Sequence, residues 1–332
     1  MKRPKISDVA MLAGVSNATV SYVINNGPRM VSEKTRQRVN EAIETLGYYP
    51  YVAARNMRKG NTQTVGFLVQ SLISPFVSAL VNSIEKYLTK NNYHLILASA
   101  HEDHKREAYM LNALANQSID GLLYIPTSSI NGVFINRLIQ NGLPVVLVDR
   151  KINDVSADLV MTDNFSAAKK ATDYLIKNDC KHIMCISFSE EASSAIDRVE
   201  GYRSALIERN LPFDDRYILI HQYTLEEKIE EKFMEKISQI GLPDGIICMT
   251  DSIFIDIIKV LKKMGVNVPN QVHVTGSFYN SPWNALIEPP LPVVNQNHEL
   301  IAKYSVQFLL ERINGFNQDP RTKLVEAEYI NM

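Results

Sequence analysis

The chain has 332 residues, 45% of them hydrophobic and 21% charged. At roughly 150 residues per domain it holds about two folded domains, and it is neither a disordered tether nor a disulfide-stapled miniprotein. The 35 Lys and Arg against 36 Asp and Glu give a net charge of -1. Residues 1–60, however, carry ten basic and four acidic side chains, or +6, which leaves -7 on the remainder. A basic segment on an acidic body has the electrostatic form of a polyanion-binding head. No uncharged apolar run approaches the roughly 18 residues of a membrane span, the longest clear one being Leu143 to Val148. The start is basic but has no apolar stretch behind it, so we expect no secretory signal, a cytoplasmic location and no membrane contact. Cys180, Cys185 and Cys248 form no CxxC pair, which suits buried thiols in a reducing compartment.

In chain order, Ser7 is expected to cap a short helix carrying Val9, Ala10 and Leu12, and Gly14 to break it before Val15 enters the core. Ser16 caps a second helix, Asn17 to about Asn25, with Val20 and Val23 inward and Asn17, Ala18, Ser21 and Tyr22 outward. Asn26-Gly27-Pro28 reads as a turn. Ser32 caps a third helix with Val39, Ile43 and Leu46 on one face, and Gly47 ends it. Three short helices around one small core, two of them joined by a tight Gly turn, make an α helix-turn-helix head.

From residue 62 short β-rich runs alternate with helix-period stretches. Thr64 to Val69 reads as a strand, and Phe76, Leu80, Ile84 and Leu88 as one helix face. Further strands are expected at His94 to Ala98, Gly121 to Ile125, Pro144 to Val148, His182 to Ser187, Gly245 to Met249 and Val272 to Thr275. Repeated βα units imply parallel sheets covered by helices, and some 270 residues suit two such lobes.

Several runs carry a specific resemblance: Ile6-Ser7-Asp8-Val9-Ala10, Ala13-Gly14-Val15-Ser16, Ala18-Thr19-Val20-Ser21, Val31-Ser32, Thr35-Arg36 and Leu46-Gly47-Tyr48-Tyr49-Pro50. Together they resemble the headpiece of the lactose/galactose repressor (LacI/GalR) family of bacterial transcription regulators. The likeness continues through Asp149-Arg150, Arg198 with Gly201-Tyr202, Asp251, Gly276 and Pro290-Leu291, over nearly the whole chain. It implies a headpiece at 1–50, a hinge helix and linker at 51–61, and a periplasmic-binding-protein-like α/β body at 62–332. The body's N-lobe would comprise about 62–162 and 292–321, and its C-lobe 163–291 and 322–332, with three chain passages between them.

The resemblance also implies roles. The second helix would lie in the DNA major groove, with Ser16, Asn17, Ala18, Thr19, Ser21 and Tyr22 at the interface. Asn suits bidentate contact with adenine, and Ala the thymine methyl. Many relatives carry Arg in place of Tyr22, and a tyrosine cannot make the two-pronged contact to guanine. Tyr51, Ala54 and Met57 fall in the hinge helix, where Met57 takes the place of a leucine wedge driven into the minor groove. Phe76, Asp149, Met161, Arg198, Tyr223, Thr250, Asp251, Phe278 and Gln296 occupy effector-cleft positions, with Arg198 the expected clamp on effector oxygens. Asp149 reads either as a ligand for an effector hydroxyl or as a cap at the lobe crossing, and Tyr223 either as a stacking platform or as core. Relatives usually read Gly-aromatic-Asp-Asp from Gly276 onward, whereas this chain reads Gly276-Ser277-Phe278-Tyr279. The carboxylate that grips effector hydroxyls is gone. A more apolar effector, an acidic or phosphorylated one held by Arg198, or a site without a ligand all remain open.

Catalytic signatures are missing: there is no GxSxG, GxxxxGK[ST], GxGxxG or HExxH. His101-Glu102-Asp103-His104 reads as a solvated loop or helix start, Asp103 and Glu107 as surface ion-pair partners, and Met110, Leu111 and Leu114 as a core stripe. The expectation is a homodimeric, sequence-specific DNA-binding repressor. It would bind a double-stranded, pseudo-palindromic operator and a small-molecule effector, and would have no enzymatic activity, cofactor or metal. The alternative is a solute-binding module with a non-specific DNA anchor.

Overall fold

The computed structural model describes residues 4–25, 31–48, 62–221 and 228–330, and the chain divides into two compact units, Met1–Thr62 and Gln63–Met332. The Asn26-Gly27-Pro28 turn and the hinge helix expected around Tyr51, Ala54 and Met57 lie outside the described residues.

The first unit is a three-helix head: α1 (Ile6–Ala13), α2 (Asn17–Asn25) and α3 (Glu33–Leu46). Val9, Ala10, Ala13, Val20, Val23, Val39 and Ala42 form its core. The cap of α1 is not Ser7. The cap lies two residues earlier, at Lys5, with the Asp8 carboxylate accepting the Lys5 N–H at 2.7 Å. Leu12, expected inward, is 54% exposed, and Ala13 takes the buried position. Ser16 and Ser32 cap as expected, accepting from Thr19 N–H at 3.1 Å and Thr35 N–H at 3.3 Å. Gly14 ends α1 at φ 61, in the left-handed region that glycine adopts at least cost. Arg38 on α3 donates to the carbonyls of Ala13 and Gly14. One of the ten basic side chains of the head is therefore spent on locking the helix-turn-helix.

The second unit holds two parallel sheets. In the N-lobe the strands are β1 (Thr64–Val69), β2 (His94–Ser99), β3 (Gly121–Tyr124), β4 (Val145–Val148), β5 (Asp158–Thr162) and β11 (Thr322–Val325), in the order β11-β5-β4-β3-β1-β2. Helices α4 (Pro75–Lys90) and α11 (His298–Ile313) cover one face, and α5 (His104–Ala115) and α6 (Gly132–Gln140) the other. The C-lobe sheet runs β7-β6-β8-β9, from β6 (Ile183–Ser187), β7 (Ile218–Ile220), β8 (Gly245–Cys248) and β9 (His273–Gly276). It is covered by α7 (Asn164–Lys177) and α8 (Ser193–Glu208) on one face and by α9 (Ile229–Ile240) and α10 (Asp251–Lys263) on the other. β3, β4, β6 and β8 are buried along their whole length, as strands covered on both faces must be.

Two lobe boundaries shift from expectation. β10 (Val293–Asn295) pairs antiparallel with β12 (Glu328–Ile330), and Val293 and Val294 pack in C-lobe cores. β11 pairs with β5 of the N-lobe. The second and third passages therefore follow β10 and β11 instead of falling at 292 and 322.

Two close approaches in the C-lobe require glycine. A Cβ at Gly201 would sit 2.2 Å from the Phe165 carbonyl, so only glycine lets α7 and α8 cross at this distance. At Gly276, φ is 112 and a Cβ would lie 2.1 Å from the Cys248 carbonyl. The N-lobe edge is tied by Asp158. Its side chain is fully buried and bonded to Arg312 at 2.8 and 3.0 Å and to Arg321 at 3.0 Å, while Arg321 lies over the Phe308 and Phe316 rings. Burial raises the Asp158 carboxyl pKa, but the two guanidinium bonds outweigh it and hold the group below the usual carboxylate range. A carboxyl depressed in the folded state contributes stability above its unfolded pKa, and that contribution is lost as pH falls through the folded value. Asp158→Asn should thus cost about 3 kcal/mol at pH 7 and flatten the acid limb below about pH 4 in denaturant melts; an unchanged acid limb would remove Asp158 from that role.

Candidate functional site

In the head, Ser16, Asn17 and Ala18 are exposed at the start of α2, and Thr19, Ser21 and Tyr22 are half-buried along it. The Ser16 and Thr19 hydroxyls are 3.0 Å apart within the cap. Asn17 and Ala18 therefore stand forward of the cap, while Ser16 and Thr19 shape the helix end. A positive helix N-terminus on a basic unit is suited to phosphate contact, and its first side chains to base edges.

In the body, the carboxyl ends of the two sheets meet around Arg198. It lies on α8, is 4% exposed, and belongs to no surface pair: Asp197 bonds Lys151 and Glu200 bonds Arg203 instead. Its Nε donates to Asn164 Oδ1 at 2.7 Å, one Nη to the Met249 carbonyl, and the other to Gln296 Oε1 at 3.1 Å. Its guanidinium stacks on Phe278, 3.9 Å from the ring centre. Burial pulls the Arg198 pKa down to about 10, against the pull of the nearby Asp149 and Asp251 charges, so it remains a cation at neutral pH. Gln296 extends the network, donating to Thr162 Oγ1 at 3.0 Å and Asp149 Oδ1 at 3.4 Å. Asp149 itself sits at the end of β4 with φ 63, its N–H bonded to the Val160 carbonyl.

Asp251 opens α10 and is 3% exposed. Burial raises its carboxyl to about 6, although backbone N–H groups of Ser252, Asp251 and Phe76 and the Arg198 charge favour the ionised form. Phe76, at the start of α4, meets Tyr279 edge-on at 6.1 Å. The Thr250 hydroxyl is engaged as the cap of α10, accepting from Ile253 N–H at 3.2 Å. Met161 packs among Leu68, Leu122, Leu147 and Leu159 under α5 and α6, and does not join this network, because alternation along β5 turns it to the sheet face away from Val160. Tyr223 lies outside the described residues.

The sequence reading missed Thr162 and Asn164, which hold Gln296 and Arg198, and it did not nominate Arg150. That side chain is 4% exposed, bonds Glu102 at 3.4 Å and the Pro126 carbonyl at 3.2 Å, and, like Arg198, lies over the Phe188 ring. The Asp149-Arg150 dipeptide, part of the family resemblance, is the signal that marks it. Glu107, expected as a surface ion-pair partner, is instead fully buried and accepts from Thr127 N–H at 2.7 Å and the Asn131 amide at 2.5 Å. Lys151 to Ser193 and Asp197, and His104 to Glu191, join the lobes at the rim. Among the described residues no group of three or more His, Cys, Asp or Glu is arranged to hold a metal ion, and no helix is long and apolar enough to cross a membrane.

Comparison with known proteins agrees over both units. Residues 5–51 match the family model of bacterial regulatory proteins, lacI family, and residues 62–332 that of periplasmic binding proteins and the sugar-binding domain of the LacI family. The HTH-type transcriptional repressor PurR of Aliivibrio fischeri is 32% identical over 98% of this chain and 96% of its own length. The ribose operon repressor of Haemophilus influenzae is 29% identical over 97% and 95%. A transcriptional regulator CelR–cellobiose complex superposes with a TM-score of 0.73 at 26% identity, covering 99% of both chains. The lac repressor dimer bound to operator superposes at 0.83 with 19% identity over 99% and 98%, a likeness of fold. With a helix-turn-helix head and a two-lobed α/β body matched along nearly its whole length, the chain belongs to the LacI family of bacterial regulatory proteins.

Proposed function

We propose that this regulator is a cytoplasmic transcriptional repressor that binds a pseudo-palindromic operator as a homodimer and answers to a small-molecule effector in the interlobe cleft. The observation that carries this reading is the exposed Ser16–Ala18 edge of α2 on a head of charge +6, joined to a body with buried polar groups converging between two sheets. Relatives named as repressors and a regulator bound to cellobiose support it. Two heads on a two-fold dimer read two half-sites of opposite sense. Asn17 and Ala18 read base edges, Tyr22 packs along the groove, and the hinge residues Tyr51, Ala54 and Met57 enter the minor groove at the centre. In the cleft, Phe76, Asp149, Arg198, Tyr223, Thr250, Asp251, Phe278 and Gln296 surround the effector. Its binding shifts the balance of lobe arrangements by the difference in its affinity for each, and with it the operator affinity.

Selection of bound genomic DNA by the purified protein at near-physiological salt tests the first half. The expected outcome is a palindromic motif of about 14 to 20 base pairs, with half-sites about 10 apart; salt-sensitive, sequence-blind binding would leave only a solute-binding module with a DNA anchor. Asn17→Ala should cost roughly 1–3 kcal/mol at the selected operator and leave non-specific affinity unchanged in gel-shift titrations. On the body, Arg198→Met should abolish the response of operator binding to whichever metabolite shifts the wild-type melting temperature, and a retained response would place the effector elsewhere.

A further inference from the structure

Residues 188–197, which lead from β6 through the first turns of α8, are bonded across the mouth of the cleft to the N-lobe. The Lys151 N–H donates to Ser193 Oγ at 2.8 Å, and Lys151 Nζ donates to both Asp197 oxygens, at 3.1 and 3.3 Å. His104 Nε2 stands 3.4 Å from Glu191 Oε2, and the Arg150 guanidinium lies over the Phe188 ring, 5.4 Å from its centre. The chain passages between the lobes leave from β5, β10 and β11, whereas these contacts are made by the residues after β4 and by the start of α5. A passage can turn as a hinge, but a contact away from it must break when the lobes part.

Both faces are prepared for this contact. On the N-lobe side, His104 Nδ1 is 2.8 Å from Thr127 Oγ1, Arg150 bonds Glu102 and the Pro126 carbonyl, and the buried Glu107 carboxylate holds the Thr127 N–H. The loops after β2, β3 and β4 are thereby joined into one platform. His101 and Glu102 both have φ 56, a left-handed pair of non-glycine residues that persists only where its surroundings fix it. Here it turns Glu102 onto Arg150 just before the Asp103 cap of α5. On the C-lobe side, residues 188–197 carry three acids and no base. Ala192 gives α8 no side-chain cap, and the Ser189 hydroxyl accepts the N–H groups of Glu191 and Ala192 at 3.0 Å each. With Arg150 compensated by Glu102, Lys151 is the permanent cation facing this acidic segment.

We propose that Lys151, Ser193 and Asp197, with His104 and Glu191 beside them, form an electrostatic latch that sets the balance between closed and open lobes. The latch rests on the interlobe reading above and supplies its regulation: an effector enters when the mouth opens, and its apparent affinity scales with the fraction of molecules that can close on it. Each exposed pair by itself shifts an equilibrium only about 1.4- to 5-fold. Carried on one platform and one helix start, however, the bonds form together, because making the first brings the rest within reach. Their strength falls with added salt, since the screening length shrinks from about 10 Å at 0.1 M to about 3 Å at 1 M. The same helix carries Arg198, so the latch also fixes where that guanidinium stands against the N-lobe.

The test is a pulsed electron-spin distance measurement on the full chain, with nitroxides at Val133→Cys on α6 and Ile207→Cys on α8. Both positions are exposed, and the three native cysteines are buried. At about 0.1 M salt we expect one dominant short distance, and at about 1 M a second, longer population. Lys151→Met should lower the short-to-long ratio about 2- to 5-fold, and adding Ser193→Ala and Glu191→Gln should lower it about 10-fold or more and remove the salt response. Lys263→Met, which breaks the Lys263–Glu230 pair inside the C-lobe, should leave the distribution unchanged. The wild-type salt series stands alone should the latch variants fold poorly. A distribution unmoved by salt and by the triple variant overturns the proposal, as does a long distance already dominant at low salt, or a Lys263→Met effect as large as that of Lys151→Met. No effector enters the measurement, so its failure leaves the cleft reading to the metabolite response of Arg198→Met.

Discussion

A guanidinium carried wholly out of water is the constraint around which the body is arranged. Arg198 can sit there only if its donors are met and its charge is compensated, since an unpaired buried cation costs several kcal/mol. Asn164, the Met249 carbonyl and Gln296 meet the donors, while Asp149 and Asp251 supply the field. These partners come from the end of the first lobe passage, the end of β8 and the residue after β10. Satisfying one side chain therefore fixes where the chain crosses between lobes. Gly201 belongs to the same requirement, because the close crossing of α7 and α8 is what brings Asn164 within reach of Arg198.

The head was largely legible, because its information is local. Caps at Ser16 and Ser32, stops at Gly14 and Gly47 and the spacing of Val39, Ile43 and Leu46 all act within one or two turns. Ser7 misled because Asp8, one residue on, makes the better acceptor for the helix start. In the body the apolar strand runs and the α4 stripe of Phe76, Leu80, Ile84 and Leu88 were equally plain. β5 was not, since it opens on an aspartate whose two arginine partners lie 154 and 163 residues further along the chain. Glu107 read as a surface acid because its charged neighbours are local, whereas the groups that bury it, Thr127 and Asn131, are not.

Site residues followed the same division. Family position pointed to Arg198 and Gln296, but not to the Thr162 hydroxyl and Asn164 amide that hold them, 134 and 34 residues away from their partners. Strand alternation turns Met161 to the opposite sheet face, and its neighbour Thr162 is the residue that reaches the network. The separation of charge, +6 on the head and -7 beyond it, was visible from composition, yet only the structure shows Arg38 turned inward to lock the helix turn. The regulatory logic is thus divided between a unit that addresses DNA and a unit whose polar core is poised between two lobes.

Through this network Arg198 and Gln296 act as one cooperative joint between the lobes. A double-mutant cycle of Arg198→Met and Gln296→Leu, read by denaturant unfolding of the full chain, tests it most directly. A cooperative joint gives a coupling free energy of about 1–3 kcal/mol; losses that simply add would show that the two side chains act independently.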